Sequence, residues 1–271
     1  MSKKTKQSKH KKKVTTSSSQ VDTWLSLIER QIVRGDYTET VANCERLLNY
    51  LPQHAPQRAL VLGHLGAAQG MIQNFPQSYE AFTAALALDP NNAELWYNRS
   101  EASRFTGRHG QALRDSERAI ELNTIAELTE KFDEALKFSR KIAEESLKLR
   151  GSNFTLDQLI EQEEHFQQGL KLMETGKWAE AGQAFEASIA MGDCLPQPRG
   201  NLGICLMMQE RYDEAEAALQ RALVIDPKYA IAKNNLAALA QTRKIGPPEM
   251  IGMNDPYKNS HVQHSLTFLK E

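Results

Sequence analysis

The sequence predicts an all-α fold: a solenoid of helical hairpins with an elongated central hairpin and an extended C-terminal tail. Three observations carry this. The small residues Gly66, Ser100, Gly169, Gly203 and Ala237 are spaced 34, 69, 34 and 34 residues apart. The aromatic residues Tyr37, Phe75, Trp178 and Tyr212 recur in step with them, followed by Ala112, Ala181 and Ala215 and then by Ser116, Phe185 and Leu219. Pro52, Pro90 and Pro227 close the units. The phrase "YDEAEAALQRALVIDPKY" at 212–229 thus repeats the sense of "SYEAFTAALALDPNN" at 78–92. Self-similarity at such a period marks a stacked repeat.

The N-terminal arm, 1–19, comes first. Its first 13 residues hold seven lysines and no acid, leaving 26 Lys and Arg against 34 Asp and Glu in the remainder, a net charge of −8. Without apolar content the arm is expected to be disordered. Lys3, Lys4, Lys6, Lys9, Lys11, Lys12 and Lys13 are candidate contacts for a polyanion, either nucleic acid or an anionic surface. A solubilising tail is the competing reading. No apolar stretch follows the lysines as in a secretory signal, and no apolar run is long enough to span a bilayer. Cys44, Cys194 and Cys205 lack paired spacing, which favours a reducing, cytoplasmic setting.

Three hairpin units are read over 20–124. Glycine inside a helix costs about 1 kcal/mol relative to alanine, so Gly66 and Gly203 need a packing reason, which is close approach of a second helix. Asp-Pro ends that second helix, because proline donates no backbone hydrogen bond and restricts its predecessor. Residues 125–161 break the pattern. Ile125, Leu128, Phe132, Leu136, Ile142 and Leu147 recur at helical spacing. They predict one helix of roughly 25 residues, opened by a Thr124–Glu127 capping box and closed at Gly151. Thr155–Gln158 offers a second capping box for a helix running to about Glu174. The two together are expected to form an elongated hairpin. Two more units and a final helix fill 162–243. The tail, 244–271, alternates Val262, His264, Leu266 and Phe268 with polar residues and is expected to be extended.

These slots resemble the tetratricopeptide repeat family, over roughly 21–124 and 162–243. Ile28 and Thr40 depart from the family's glycine and alanine, and the linker at 52–57 is long. The resemblance implies a right-handed superhelix that binds a protein or peptide in its concave groove, as a non-enzymatic scaffold or adaptor. The groove slots it implies are Tyr97, Asn98, Glu101 and Arg104, with Glu94; Glu163, Phe166, Leu170 and Met173; Gln197, Gly200, Asn201, Ile204 and Met207; and Asn234, Asn235 and Ala238. Family members that clamp chaperone tails use basic residues and asparagines at slots that here hold Leu25, Glu29, Gly63, Ala67 and Glu94, which argues against that ligand. Two alternatives stand beside the scaffold reading: an RNA- or ribosome-associated factor using the lysine arm, and an accessory subunit of an enzyme complex.

No catalytic constellation, metal site or cofactor site is expected. "GHLGAAQG" lacks the Lys-Ser/Thr of a phosphate loop. His261 and His264 stand in a polar tail without further ligands. "EQEEH" at 161–165 reads as a charged helix face. Two readings of the tail stand: Met250, Ile251, Leu266 and Phe268 dock over the apolar slots Phe166, Leu170, Met173, Ile204 and Met207, or the tail is free and those slots pack between helices.

Overall fold

The computed structural model describes residues 18–247. The lysine arm at 1–13 and the tail residues Met250, Ile251, His261, His264, Leu266 and Phe268 lie outside the described residues. The described residues form twelve α-helices. The chain divides into two compact units, with the boundary between Pro90 and Asn91.

The first unit contains α1 (Ser18–Arg34), α2 (Tyr37–Tyr50), α3 (Gln57–Met71) and α4 (Phe75–Leu88). Its core joins Val21, Ile28, Cys44, Leu47, Leu51 and Val61, with Trp24, Leu25 and Ile32 packed against them. Arg58 reaches back across the long linker and donates to the carbonyls of Leu48 (2.8 Å) and Leu51 (3.1 Å). A guanidinium there satisfies carbonyls that the end of α2 leaves without helical partners.

The second unit contains α5 (Ala93–Phe105), α6 (His109–Leu122), α7 (Ala126–Arg150), α8 (Leu156–Glu174), α9 (Trp178–Met191), α10 (Pro196–Met208), α11 (Tyr212–Ile225) and α12 (Ala230–Ile245). Within it α5 pairs with α6, α8 with α9, and α10 with α11. The largest core cluster lies toward its C-terminal end, around Phe185, Leu202, Cys205, Leu206, Leu219 and Leu239.

The aromatic slot is the first residue of the second helix in each hairpin: Tyr37, Phe75, Trp178 and Tyr212 open α2, α4, α9 and α11. The third hairpin puts His109 there. Two residues earlier every hairpin turns through a positive φ, at Gly35, Gln73, Gly107, Gly176 and Glu210. Gln73 and Glu210 hold this left-handed conformation without glycine's freedom. In each turn the residue just before the second helix donates back to a carbonyl five residues earlier, as in Arg108 to Ser103 and Arg211 to Leu206, both at 2.9 Å.

The small-residue slots are close approaches. A Cβ built on Gly66 would lie 2.9 Å from the Phe82 ring. On Gly169 it would lie 2.6 Å from the Phe185 ring, and on Gly203 2.6 Å from Leu219. The long helix α7 has 25 residues and ends at Gly151, with φ 100°, as its pattern predicts. The Thr155–Gln158 capping box forms with both of its bonds.

Two expectations for the middle segment are corrected. Residue Thr124 does not cap α7. Its N-cap is Ile125, without a side-chain cap, and Asn123 instead accepts the Ile125 N–H at 2.9 Å. Nor do α7 and α8 form the expected elongated hairpin. α7 lies chiefly along α6, with a lesser contact to α5, and α8 pairs with α9. The reason is the face that α7 buries: Phe132, Ala135, Ser139, Ala143 and Ser146. Four of these five are small, so α7 sits close on α6. The larger Leu136, Ile142 and Leu147 flank that seam half-buried, and Ile125 is exposed.

Candidate functional site

The groove slots on α5 are engaged by α7. Tyr97 stacks on Phe132, with ring centroids 5.0 Å apart and planes at 16°. The Lys131 ammonium lies 4.4 Å from the Tyr97 ring centre. Arg104 donates to Glu101 at 2.8 Å while its guanidinium lies 4.4 Å over the Phe138 ring. Burial pushes the Tyr97 hydroxyl up to about 12, with Glu101 adding to the effect. Burial also raises the Glu101 carboxyl, against the pull of Arg104 and Lys131. Asn98 is half-buried and Glu94 exposed.

On α8, Phe166 and Leu170 are half-buried, and Phe166 lies 5.6 Å from Phe185. Met173, Ile204 and Met207 are buried in the core cluster. The apolar slots therefore do not form the open patch that the sequence suggested; three of the five side chains pack between helices. Asn201 is 1% exposed. Its Nδ2 and the Gln197 Oε1, one turn away, have no hydrogen-bond partner among the described residues. Asn234 and Ala238 on α12 are exposed.

Sequence reasoning missed two polar constellations. In the first, Arg99 makes a bidentate pair with Asp115, both bonds at 2.7 Å, inside the α5/α6 hairpin. Burial pushes the Asp115 carboxyl up, against the hydrogen bonds from Arg99 and Gln111. Beside it Ser116 bonds to Ser100 and Ser139, each at 3.0 Å. The available signal was register, because Arg99 and Asp115 stand where the α10/α11 hairpin has Leu202 and Ala218.

The second constellation lies where α6, α7 and α8 meet. The Gly110 N–H donates to Glu163 Oε2 at 3.0 Å, and His109 Nδ1 lies 2.7 Å from the Ser146 hydroxyl. Arg150 donates to Gln162 and, at 2.7 Å, to the Ser146 carbonyl. Gln162 donates in turn to the carbonyls of Ser188 (2.9 Å) and Gly192 (2.8 Å). Burial lowers the His109 ring to about 4, with Arg150 adding to the effect.

Burial raises the thiols of Cys44 and Cys205 to about 12, so both are protonated near neutrality. Among the described residues there is no cluster of His, Cys, Asp and Glu able to hold a metal ion, and no helix long and apolar enough to cross a membrane.

Two models, each of a tetratricopeptide repeat, match residues 197–229, which span α10 and α11, and 81–114, which run from within α4 to within α6. The chain is a tetratricopeptide repeat protein. Proteins with these repeats typically mediate protein–protein interactions. The peroxisomal targeting signal receptor of Yarrowia lipolytica is 35% identical to this tetratricopeptide repeat protein over 82 residues, which is 30% of the chain and 14% of the receptor. Among solved structures, the TPR domain of P58(IPK) is similar over 83% of the chain and 66% of that domain, with 11% identity and a TM-score of 0.43. The TPR2AB domain of yeast Sti1, solved as a pHSP90 complex, covers 84% of the chain and 86% of its own length, with 14% identity and a TM-score of 0.40.

Proposed function

We propose that this chain is a non-enzymatic interaction module whose second unit holds a protein or peptide partner against the first helices of its hairpins. The observation that carries the reading is the set of accessible slot residues: Asn98 on α5, Phe166 and Leu170 on α8, and Asn234 and Ala238 on α12. The half-buried rings and aliphatics supply apolar contact. The asparagines supply both donors and acceptors for a peptide backbone. The buried members of the predicted set, Met173, Asn201, Ile204 and Met207, support those helices from beneath.

Affinity capture with the full chain tests the reading. A partner retained by the wild type should be lost with Ala238→Glu and weakened with Phe166→Ala. The Ala238→Glu change falls on an exposed site and should leave the thermal melt unchanged. Equal retention by both variants would remove these slots from the binding surface.

A further inference from the structure

The last described helix, α12, has the place of a first helix in a hairpin but no second helix after it. At the 34-residue spacing its Leu236, Ala237 and Ala240 answer to Leu202, Gly203 and Leu206 of α10. On α10 all three are buried, and a Cβ on Gly203 would meet Leu219 of α11 at 2.6 Å. On α12 Leu236 is half-buried, and Ala237 and Ala240 are exposed. The opposite side of α12 is held in place. Ala232, Leu239 and Thr242 are buried there, and Arg243 bridges Asp213 (2.8 Å) and Glu216 (3.0 Å) of α11. Among the described residues no helix covers the side that α10 turns to α11.

That uncovered side carries Lys233, Ala237, Ala240 and Lys244 in one row along the helix. All four are exposed. The alanines let another backbone come close, and a lysine stands at either end. The helix ends at Gly246, with φ 83°, so the chain leaves it beside Lys244. Pro247 and Pro248 follow, and they bar a further helical turn. After them the sequence reads EMIGMND over 249–255. Alternate residues of an extended strand share one side. One side of this segment is therefore Glu249, Ile251, Met253 and Asp255, two apolar residues between two acids.

We propose that residues 249–255 run extended and antiparallel along α12 as the cover of this face, with Glu249 at Lys244, Ile251 on Ala240, Met253 on Ala237 and Asp255 at Lys233. The lengths agree. Lys233 to Lys244 rises about 17 Å along a helix. Glu249 to Asp255 extends about 20 Å in a strand, and the flexible lysine stems take up the difference. The direction is set by the connection. Only Pro247 and Pro248 separate the end of α12 from Glu249, too little chain to travel back to Lys233 before the segment starts. In this register both acids meet lysines, and Ile251 and Met253 leave water for the alanine methyls and the edge of Leu236. The tether keeps the segment at high local concentration, so modest contacts suffice. The cover differs from one over Met173, Ile204 and Met207, which the helices already bury. It stands whether or not the neighbouring slots Asn234 and Ala238 receive a partner.

Methyl NMR of the full chain, labelled at alanine, isoleucine and methionine, tests it. Nuclear Overhauser contacts are expected from Ala240 to Ile251 and from Ala237 to Met253. Ile251→Glu should shift the methyls of Ala237 and Ala240 and leave that of Ala232, on the buried side, where it is. Asp255→Lys should abolish the Ala237–Met253 contact, and adding Lys233→Asp should restore it. Lys233 is exposed, so the exchanged pair keeps the fold. Absent contacts, Ala237 and Ala240 methyls that ignore Ile251→Glu, or no recovery in the exchanged pair would overturn the proposal. So would contacts seen only between differently labelled copies in a mixed sample, which make a second copy the occupant. Contacts to Val262, Leu266 and Phe268 alone would overturn it too, by giving the face to a later part of the tail.

Discussion

Where α10 carries Leu202 and Gly203, α5 carries Arg99 and Ser100. Opposite them stand Ala218 and Leu219 in α11, but Asp115 and Ser116 in α6. The first helical pair fills its interior with a leucine pressed against a glycine. The second fills the same space with a buried ion pair and hydroxyl–hydroxyl bonds. Even the opening residue differs, Tyr212 in one and His109 in the other. The comparison teaches that the hairpin frame depends on the size and placement of its side chains more than on their polarity. An apolar interior is held by dispersion and exclusion of water. A polar interior holds as long as every buried group has its partner.

The largest expected effect breaks the polar hairpin. Asp115→Ala leaves the Arg99 guanidinium buried without its counterion and should lower stability by about 3–5 kcal/mol. Combining it with Arg99→Leu recreates the Leu202/Ala218 pairing and should restore most of that loss. Chemical denaturation of the two variants decides this. If the double variant is no more stable than the single, the two interiors are not interchangeable.

A second test uses pH. Burial lowers the His109 ring from 6.5 to about 4, so the unfolded chain takes up its proton before the native state does. The stability contributed by the neutral ring is fully present above 6.5 and lost as pH falls towards 4, worth roughly 3 kcal/mol. His109→Phe gives α6 the aromatic start of its counterparts and should remove that portion of the acid loss. Thermal melts of both proteins between pH 4 and 7 would show it as a difference in slope. Parallel slopes would mean that His109 titrates in the native state as it does unfolded.

The smallest effect concerns the apolar hairpin. Gly203→Leu forces a side chain into space already held by Leu219 and should cost about 1–3 kcal/mol. An unchanged melt would break the assigned register of the α10/α11 pair. The corresponding change at Ser100, which already carries a Cβ, lacks this glycine-specific conflict and tests the hydroxyl network instead.

The 34-residue register was legible because each hairpin repeats its own local demands. A small residue must face a large one, as Gly169 faces Phe185, and an aromatic must start the second helix. The left-handed turn residue was harder to see, since Gln73 and Glu210 share it with three glycines. The length of α7 was legible too, from its uninterrupted helical spacing and from Gly151. Its partner was not. The large side chains drew attention, while the buried seam is mostly alanine and serine, residue types that carry little hydrophobic signal.

The groove slots divide in the same way. Their spacing along each helix followed from the repeat, but the exposure of each depended on what lay above it. Phe132 and Phe138 cover Tyr97 and Arg104 only because α7 folds back along α6. Met173, Ile204 and Met207 are core rather than surface because neighbouring helices close over them. By itself, then, the sequence determined the repeat, the hairpins and the residues at each slot, which are fixed by helical periodicity and by steric fit between segments adjacent in the chain. Only the tertiary structure decided that Glu163 caps α6 from 53 residues away and that α7 lies along α6 instead of α8. Such pairings depend on where the break in the period delivers each helix, and on the need of every buried N–H and guanidinium for an acceptor that no local spacing supplies.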